Sequence, residues 1–384
     1  MKILHIGKYY PPYHGGMEYF LRDLAVAQQR VGHQVTLFVH HHHNRTPRQQ
    51  ESATATTPTL IRTPQYGRLL FTPISPLFGP HLASAIQQHT PQLLHIHLPN
   101  PSAFVLLALP AARALPWVIH WHADVLTPQS SPAIRHAYRL YRPFEQALLR
   151  RAQRIIATSP PYLATSSALA PHPHRCQVIP LGIDRQRVTP HPVFPLPAEP
   201  PGGPLRILAI GRLTYYKGFT HLLQALTRLP HAHLTLVGEG EQEGALRAQI
   251  DDLALHQQVT LLGSLAPFAL AEQMEQCHCL CLPSIERTEA FGMVLLEAMA
   301  HARPVIVTEV VGSGMSWLVK SGENGLRCPP GDPTALAQAL AYLADHPAQR
   351  SAMGERGAQQ FAAHFQIERI AEQFDRLYQQ LLNA

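Results

Sequence analysis

Long hydrophobic runs are missing from this chain of 384 residues; none approaches the roughly 20 apolar residues of a membrane span. Charge is also sparse. Only 15% of residues are charged against 46% hydrophobic, a balance that excludes a largely disordered chain and points to globular domains. Cysteine is scarce and odd in number, five in all, and the opening MKILHIGKYY has no apolar stretch long enough for a secretion signal. Reduced thiols in a cytoplasmic protein are therefore expected. Cys277, Cys279 and Cys281 alternate on one face of a strand, a poor geometry for a tetrahedral metal, so no metal is expected there. The glycine fingerprint of a nicotinamide-dependent dehydrogenase is absent as well: residues 7 to 16 read GKYYPPYHGG.

What is present is unevenly spread. Residues 1 to 200 hold 18 Lys+Arg and 7 Asp+Glu, whereas 201 to 384 hold 13 and 18, so the halves carry +11 and −5. Arg135, Arg139, Arg142, Arg150, Arg151 and Arg154 cluster in one helical region with Tyr138, Tyr141 and Phe144. A solvated helix face and peripheral contact with an anionic membrane both fit this pattern, while no nucleic-acid module signature is present. Between the halves, Thr189 to Pro204 has seven prolines in sixteen residues, a stiff extended linker that cannot be a helix or a central strand.

Both halves alternate short apolar strands with helices. In the first, strands are expected at 2–7, 34–40, 93–97, 117–122, 154–158 and 177–180, with a helix at 16–31; in the second, at 205–211, 233–238, 259–263, 277–282 and 304–308. This is the α/β pattern of parallel sheets covered on both faces, one in each of two domains facing across a cleft. The domains are expected at 1–188 and 205–365, joined by the linker 189–204. The run His40 to His43 and the polar segment from Asn44 to Thr59 are expected to form a mobile loop. His95 and His97 share a strand face, where a buried, satisfied histidine is the default.

Residues 283 to 300, PSIERTEAFGMVLLEAMA, are the most informative stretch. A helix opening near Phe291 has first amides without partners inside the helix, which together with the dipole attract a phosphate. Gly292 allows close approach, Glu297 reaches hydroxyls beside the phosphate, and Glu289 lies in the preceding loop. A phosphate between two hydroxyl-binding carboxylates describes a nucleotide-sugar. An ordinary amphipathic helix, with Met293, Val294, Leu295, Leu296 and Met299 in core and both Glu solvated, fits the same spacing. Arg212 and Lys217 flank a turn at a strand end, where two cations would neutralise a diphosphate. Gly15-Gly16 opens a helix after the first strand, and His120-Trp121-His122-Ala123-Asp124 closes another.

Together, YYPPYHGGMEYFLRDLA, HWHAD, GRLTYYKGF, VGEG, PSIERTEAFGMVLLEAMA and GENGLRCPPGDP resemble the retaining glycosyltransferases of family 4, which have the two-Rossmann-domain GT-B fold. Residues 284 to 325, with TEVVGSGMSWLV, are similar to a bacterial subgroup that builds O-antigen or exopolysaccharide. The resemblance implies that Glu289 holds donor-sugar hydroxyls and Glu297 the ribose. Amides at Phe291, Gly292, Met293 and Val294 would bind sugar or diphosphate, and Arg212 and Lys217 would stabilise the departing diphosphate. It makes His122 an active-site histidine and Gly15-Gly16 a loop touching donor phosphate and acceptor. Hexosyl transfer from a nucleotide-sugar, GDP-mannose or a UDP-hexose, to a glycan or lipid-linked acceptor follows, with neither metal nor other cofactor. The family's account of retention is front-face attack, and Asp124 is the carboxylate to test as an alternative base or nucleophile. One fold hosts several chemistries, so an epimerase-like enzyme or binder of free nucleotide-sugar remains the alternative. The last helix, 366–384, with Ile367, Ile370, Phe374, Leu377 and Leu381 at helical intervals, is expected to pack back on the N-terminal domain.

Overall fold

The computed structural model describes residues 1–69, 72–125, 132–189 and 204–383. Two compact units result, Met1–Gly182 with the segment from Ile367 onward, and Ile183–Gln366. Nearly all of the Pro-rich linker, 190–203, lies outside the described residues. Ile183 donates its backbone N–H to Phe365 and bridges Gln366, which ties the residues ahead of the expected boundary at 188 to the second unit. Among the described residues no helix is long and apolar enough to cross a membrane.

The first unit is built on β1 (Lys2–Ile6), β2 (Gln34–Asn44), β3 (Gln49–Glu51) and β4 (Thr59–Gln65), a short antiparallel pair β5 (Arg68–Leu69) and β6 (Thr72–Pro73), then β7 (Leu93–Leu98), β8 (Trp117–Trp121), β9 (Arg154–Ala157) and β10 (Cys176–Val178). Its sheet runs β10-β9-β8-β7-β1-β2-β4-β3, parallel except where β3 pairs with β4. All six residues of β7 are buried, as a strand covered on both faces requires. The helix Gly16–Arg30 carries Glu18 in its first turn and Arg30 in its last, matching its dipole. The C-terminal helix Ile367–Leu382 packs against it and buries Ile367, Ile370, Phe374, Leu377 and Tyr378. At about 1.5–3 kcal/mol per fully buried apolar side chain, this stripe offsets the entropy of holding the tail in place.

The second unit contains β11 (Arg206–Ile210), β12 (His233–Val237), β13 (Val259–Leu261), β14 (Cys279–Leu282), β15 (Val305–Thr308) and β16 (Gly325–Cys328), ordered β13-β12-β11-β14-β15-β16 and parallel throughout. Strand order reverses direction between β11 and β14, and in the first sheet between β1 and β7. In open α/β sheets ligands bind at such switch points, beyond the carboxyl ends of the strands.

The expected strands are all present. The expected loop at His40–His43 is not: β2 runs on through Asn44, and His40 and His41 are buried. The reason is β4, whose TLIRTPQ sequence pairs with β2 and extends the sheet over a segment that reads as polar. Cys277, Cys279 and Cys281 are buried free thiols, and burial pushes Cys277 up to about 12, so they pack as small apolar groups.

Candidate active site

In the second unit, adjacency of β11 and β14 brings together two loops that are 72 positions apart in sequence. After β11, Gly211-Arg212 leads into a turn at Tyr215–Lys217, and Gly218 (φ 67°) starts the next helix. After β14, the loop from Pro283 carries Ser284, Glu286 and Glu289 to the helix Met293–Ala300. Lys217 Nζ donates to Glu289 Oε2 at 2.5 Å, with both side chains largely buried, 10% and 13% exposed. Burial pulls the Lys217 ammonium down, but the Glu289 carboxylate and the Tyr216 phenol outweigh it and raise its pKa above the usual value. The lysine is a fixed cation across the physiological range. Arg212 is exposed and close enough to act on that charge.

Glycine makes the room for this pair. A Cβ at Gly211 would stand 2.8 Å from Lys217 Nζ. At Gly292, φ is 84°, a conformation costly for other residues, and it turns the chain into the helix. That helix opens at Met293, two residues later than Phe291, so Glu297 sits just past its first turn rather than two turns in. Phe291 is buried, whereas the first amides of the helix, at Met293 and Val294, have no acceptor within it.

Neighbouring residues that sequence reasoning passed over hold the same loop in place. Ser313 Oγ donates to the Glu289 carbonyl at 2.5 Å, and Ser284 Oγ approaches Glu289 Oε2 at 3.5 Å. Glu286 is buried; its Oε2 accepts from Tyr215 O–H at 2.8 Å and Thr288 O–H at 3.3 Å, while Oε1 has no partner. A third acid within the same stretch was the signal available in the sequence.

In the first unit, Gly15 caps the helix Gly16–Arg30 in extended conformation, and a Cβ there would fall 2.2 Å from Glu18 Oε2. A carboxylate thus lies against the helix end assigned to an anion. His122 follows β8, its backbone N–H bonded to Leu98 O at 2.9 Å. Burial drives its imidazole down to about 3, so it is neutral at physiological pH. Its Nε2 lies 3.0 Å from His97 Nδ1, and its Nδ1 is buried without a partner. Asp124 Oδ1 accepts from Trp121 Nε1 at 2.8 Å and Ser166 Oγ at 2.7 Å, and its N–H meets Tyr162 Oη at 2.6 Å, contacts that organise the loop.

Residues 14–187 match the family model Glycosyltransferase Family 4, and residues 197–360 match Glycosyl transferases group 1. O-antigen chain mannosyltransferase C of Escherichia coli is 27% identical over 391 residues, the whole of both chains. D-rhamnosyltransferase WbpZ of Pseudomonas aeruginosa is 32% identical over 257 residues, 65% of this chain and 64% of that one. Among solved structures, sucrose-phosphate synthase from Thermosynechococcus elongatus gives a TM-score of 0.81 at 26% identity, covering 100% of this chain and 99% of the other. Two parallel Rossmann-like sheets, each with its own family module, make this chain a glycosyltransferase of the GT-B fold, with a family 4 domain followed by a group 1 domain.

Proposed function

We propose that the second unit binds a nucleotide-sugar and that the enzyme moves its hexosyl group to a glycan or lipid-linked acceptor during cell-surface polysaccharide synthesis, with retention at the anomeric carbon. The observation that carries this reading is the Lys217–Glu289 pair at the β11/β14 switch point, with Glu289 in the loop that leads into the helix Met293–Ala300. Lys217 and Arg212 stabilise the diphosphate, where charge grows as the bond from the anomeric carbon to the phosphate oxygen breaks. Glu289, in contact with Lys217, holds hydroxyls of the sugar at the junction with that phosphate, and Glu297 holds the ribose. The acceptor oxygen bonds to the anomeric carbon from the face the leaving group departs, and the departing phosphate oxygen takes its proton. His122 and the Gly15-Gly16 loop serve the same reaction from the first unit.

Two fixed cations and helix-end amides perform the neutralisation for which other enzymes use a divalent ion, so transfer is metal-independent. GDP-mannose is the favoured donor, in keeping with the mannosyltransferase that matches along its whole length, and UDP-hexoses are the next to try. Contact with the anionic inner face of the membrane is assigned to the helix Pro132–Arg151, where Leu140 and Phe144 are exposed among Arg135, Arg139 and Arg142. The test is incubation with a donor panel and an acceptor extract in excess EDTA. Release of nucleoside diphosphate with an α-configured product from an α-linked donor supports the proposal. An inverted product removes the retaining step, and loss of turnover in EDTA removes metal independence.

A further inference from the structure

One face of the first sheet carries five buried histidines: His5 on β1, His95 and His97 on β7, His120 on β8 and His122 just beyond it. Register sets His5 beside His95 and His97 beside His120. Phe20 from the helix Gly16–Arg30 stands edge-on to His120 at 4.9 Å, and Phe374 from the C-terminal helix lies 5.0 Å from His95. Three of the rings form a hydrogen-bonded chain. Gln28 Oε1 meets His5 Nε2 at 2.8 Å, His5 Nδ1 meets His97 Nε2 at 3.1 Å, and His97 Nδ1 meets His122 Nε2 at 3.0 Å.

A neutral imidazole has one N–H and one lone pair, so fixing one end of such a chain fixes every member. The Gln28 amide nitrogen donates to Tyr378 Oη at 3.3 Å, which leaves its carbonyl oxygen toward His5. That oxygen only accepts. His5 therefore carries its proton on Nε2 and presents a bare Nδ1, to which His97 donates through Nε2–H. His97 in turn receives Nε2–H from His122. The last lone pair, on His122 Nδ1, is the buried atom without a partner.

We propose that Gln28, His5 and His97 are positioning residues that lock His122 as the neutral Nε2–H tautomer, offering Nδ1 as an acceptor to a substrate hydroxyl. This rests on the reading of His122 as an active-site residue. The lone pair accepts from a hydroxyl and repels a carboxylate or phosphate oxygen, so the group it selects is an O–H. An amide terminus cannot carry a proton onward, so the chain holds a tautomer rather than conducting protons. The same lone pairs argue against a metal, although the nitrogens of His5, His95 and His97, and those of His97, His120 and His122, lie within 4.8 Å of one another in each trio. The lone pairs of His5 and His97 are occupied by N–H donors.

The experiment compares wild type, Gln28→Leu and Gln28→Glu with ¹⁵N-labelled histidine, using long-range ¹H–¹⁵N correlations to read tautomers alongside steady-state kinetics. Wild type shows Nε2–H at His5, His97 and His122. Gln28→Leu lowers kcat about 10- to 100-fold with donor KM nearly unchanged, while Gln28→Glu, which still accepts, retains activity. An Nδ1–H tautomer at His97 or His122 in wild type overturns the proposal, as does full activity in Gln28→Leu or a loss in Gln28→Glu equal to it. If the Leu variant does not fold, the wild-type spectra and the Glu variant decide. Absence of nucleotide-sugar consumption by wild type counts against the proposed function and against a positioning role, while the spectra still judge the tautomer order.

Discussion

Lowering the pH from about 7 to about 5.5 is expected to strip most of the stability from the first unit, because its five core histidines are neutral in the fold. Burial lowers His5 to about 4 and His122 to about 3, and holds His95, His97 and His120 well below their usual value. Unfolded, each ring titrates near 6.5. Between the folded and unfolded values the unfolded state binds more protons, so stability rises with pH and is lost as pH falls below about 6.5. Each ring contributes a little over about 1 kcal/mol over this interval, or about 6 kcal/mol for five. His40, lowered by burial to about 4, adds about 1 kcal/mol of the same sign. Glu145 works in the opposite direction: burial raises it to about 7, so acid relieves roughly 2 kcal/mol of its strain. The net, about 5 kcal/mol, equals the whole stability of many domains. Guanidinium unfolding followed by Trp fluorescence at several pH values measures it, and His120→Phe should lower the dependence by about one proton. A change of less than about 1 kcal/mol, or an unchanged slope in His120→Phe, would refute the reasoning.

Three further outcomes concern the second unit and the membrane. Lys217→Ala and Glu289→Ala are each expected to cost at least about 100-fold in kcat in a donor-consumption assay while the far-ultraviolet dichroism stays that of wild type. Gly211→Ala places a methyl 2.8 Å from the Lys217 ammonium and should lower kcat without touching any charge; wild-type rates would show that the ammonium position is not critical. Replacing Arg135, Arg139 and Arg142 by Gln should abolish cosedimentation with anionic vesicles at low salt, and equal binding to neutral vesicles would count against an electrostatic contact.

Much of this was legible in the sequence, for identifiable reasons. Parallel strands covered on both faces leave apolar runs such as LLHIHL and VIVT, and glycines at strand ends mark the turns. The stretch from Glu289 to Glu297 exposed its loop-to-helix geometry through Gly292, whose positive φ few other residues tolerate. What was not legible depends on strand order. That Lys217 touches Glu289 follows from β14 lying next to β11, and no local pattern encodes this adjacency. The histidine layer hid for the same cause: alternate positions put His95 and His97 on one face, but only the order β8-β7-β1 stacks His120, His122 and His5 beside them. β4 was missed because its polar residues, Arg62, Thr63 and Gln65, are buried by neighbours far along the chain.

The central claim is that Lys217 and Glu289 form the donor-phosphate and sugar site of a glycosyltransferase. Thermal shift with a panel of nucleoside diphosphates and their sugars tests it most directly. One base series should raise the wild-type midpoint, with stabilisation reaching about 2.7 kcal/mol at a hundredfold excess over Kd, and the shift should vanish in Lys217→Ala. No shift with any member of the panel, or an undiminished shift in Lys217→Ala, would contradict the assignment.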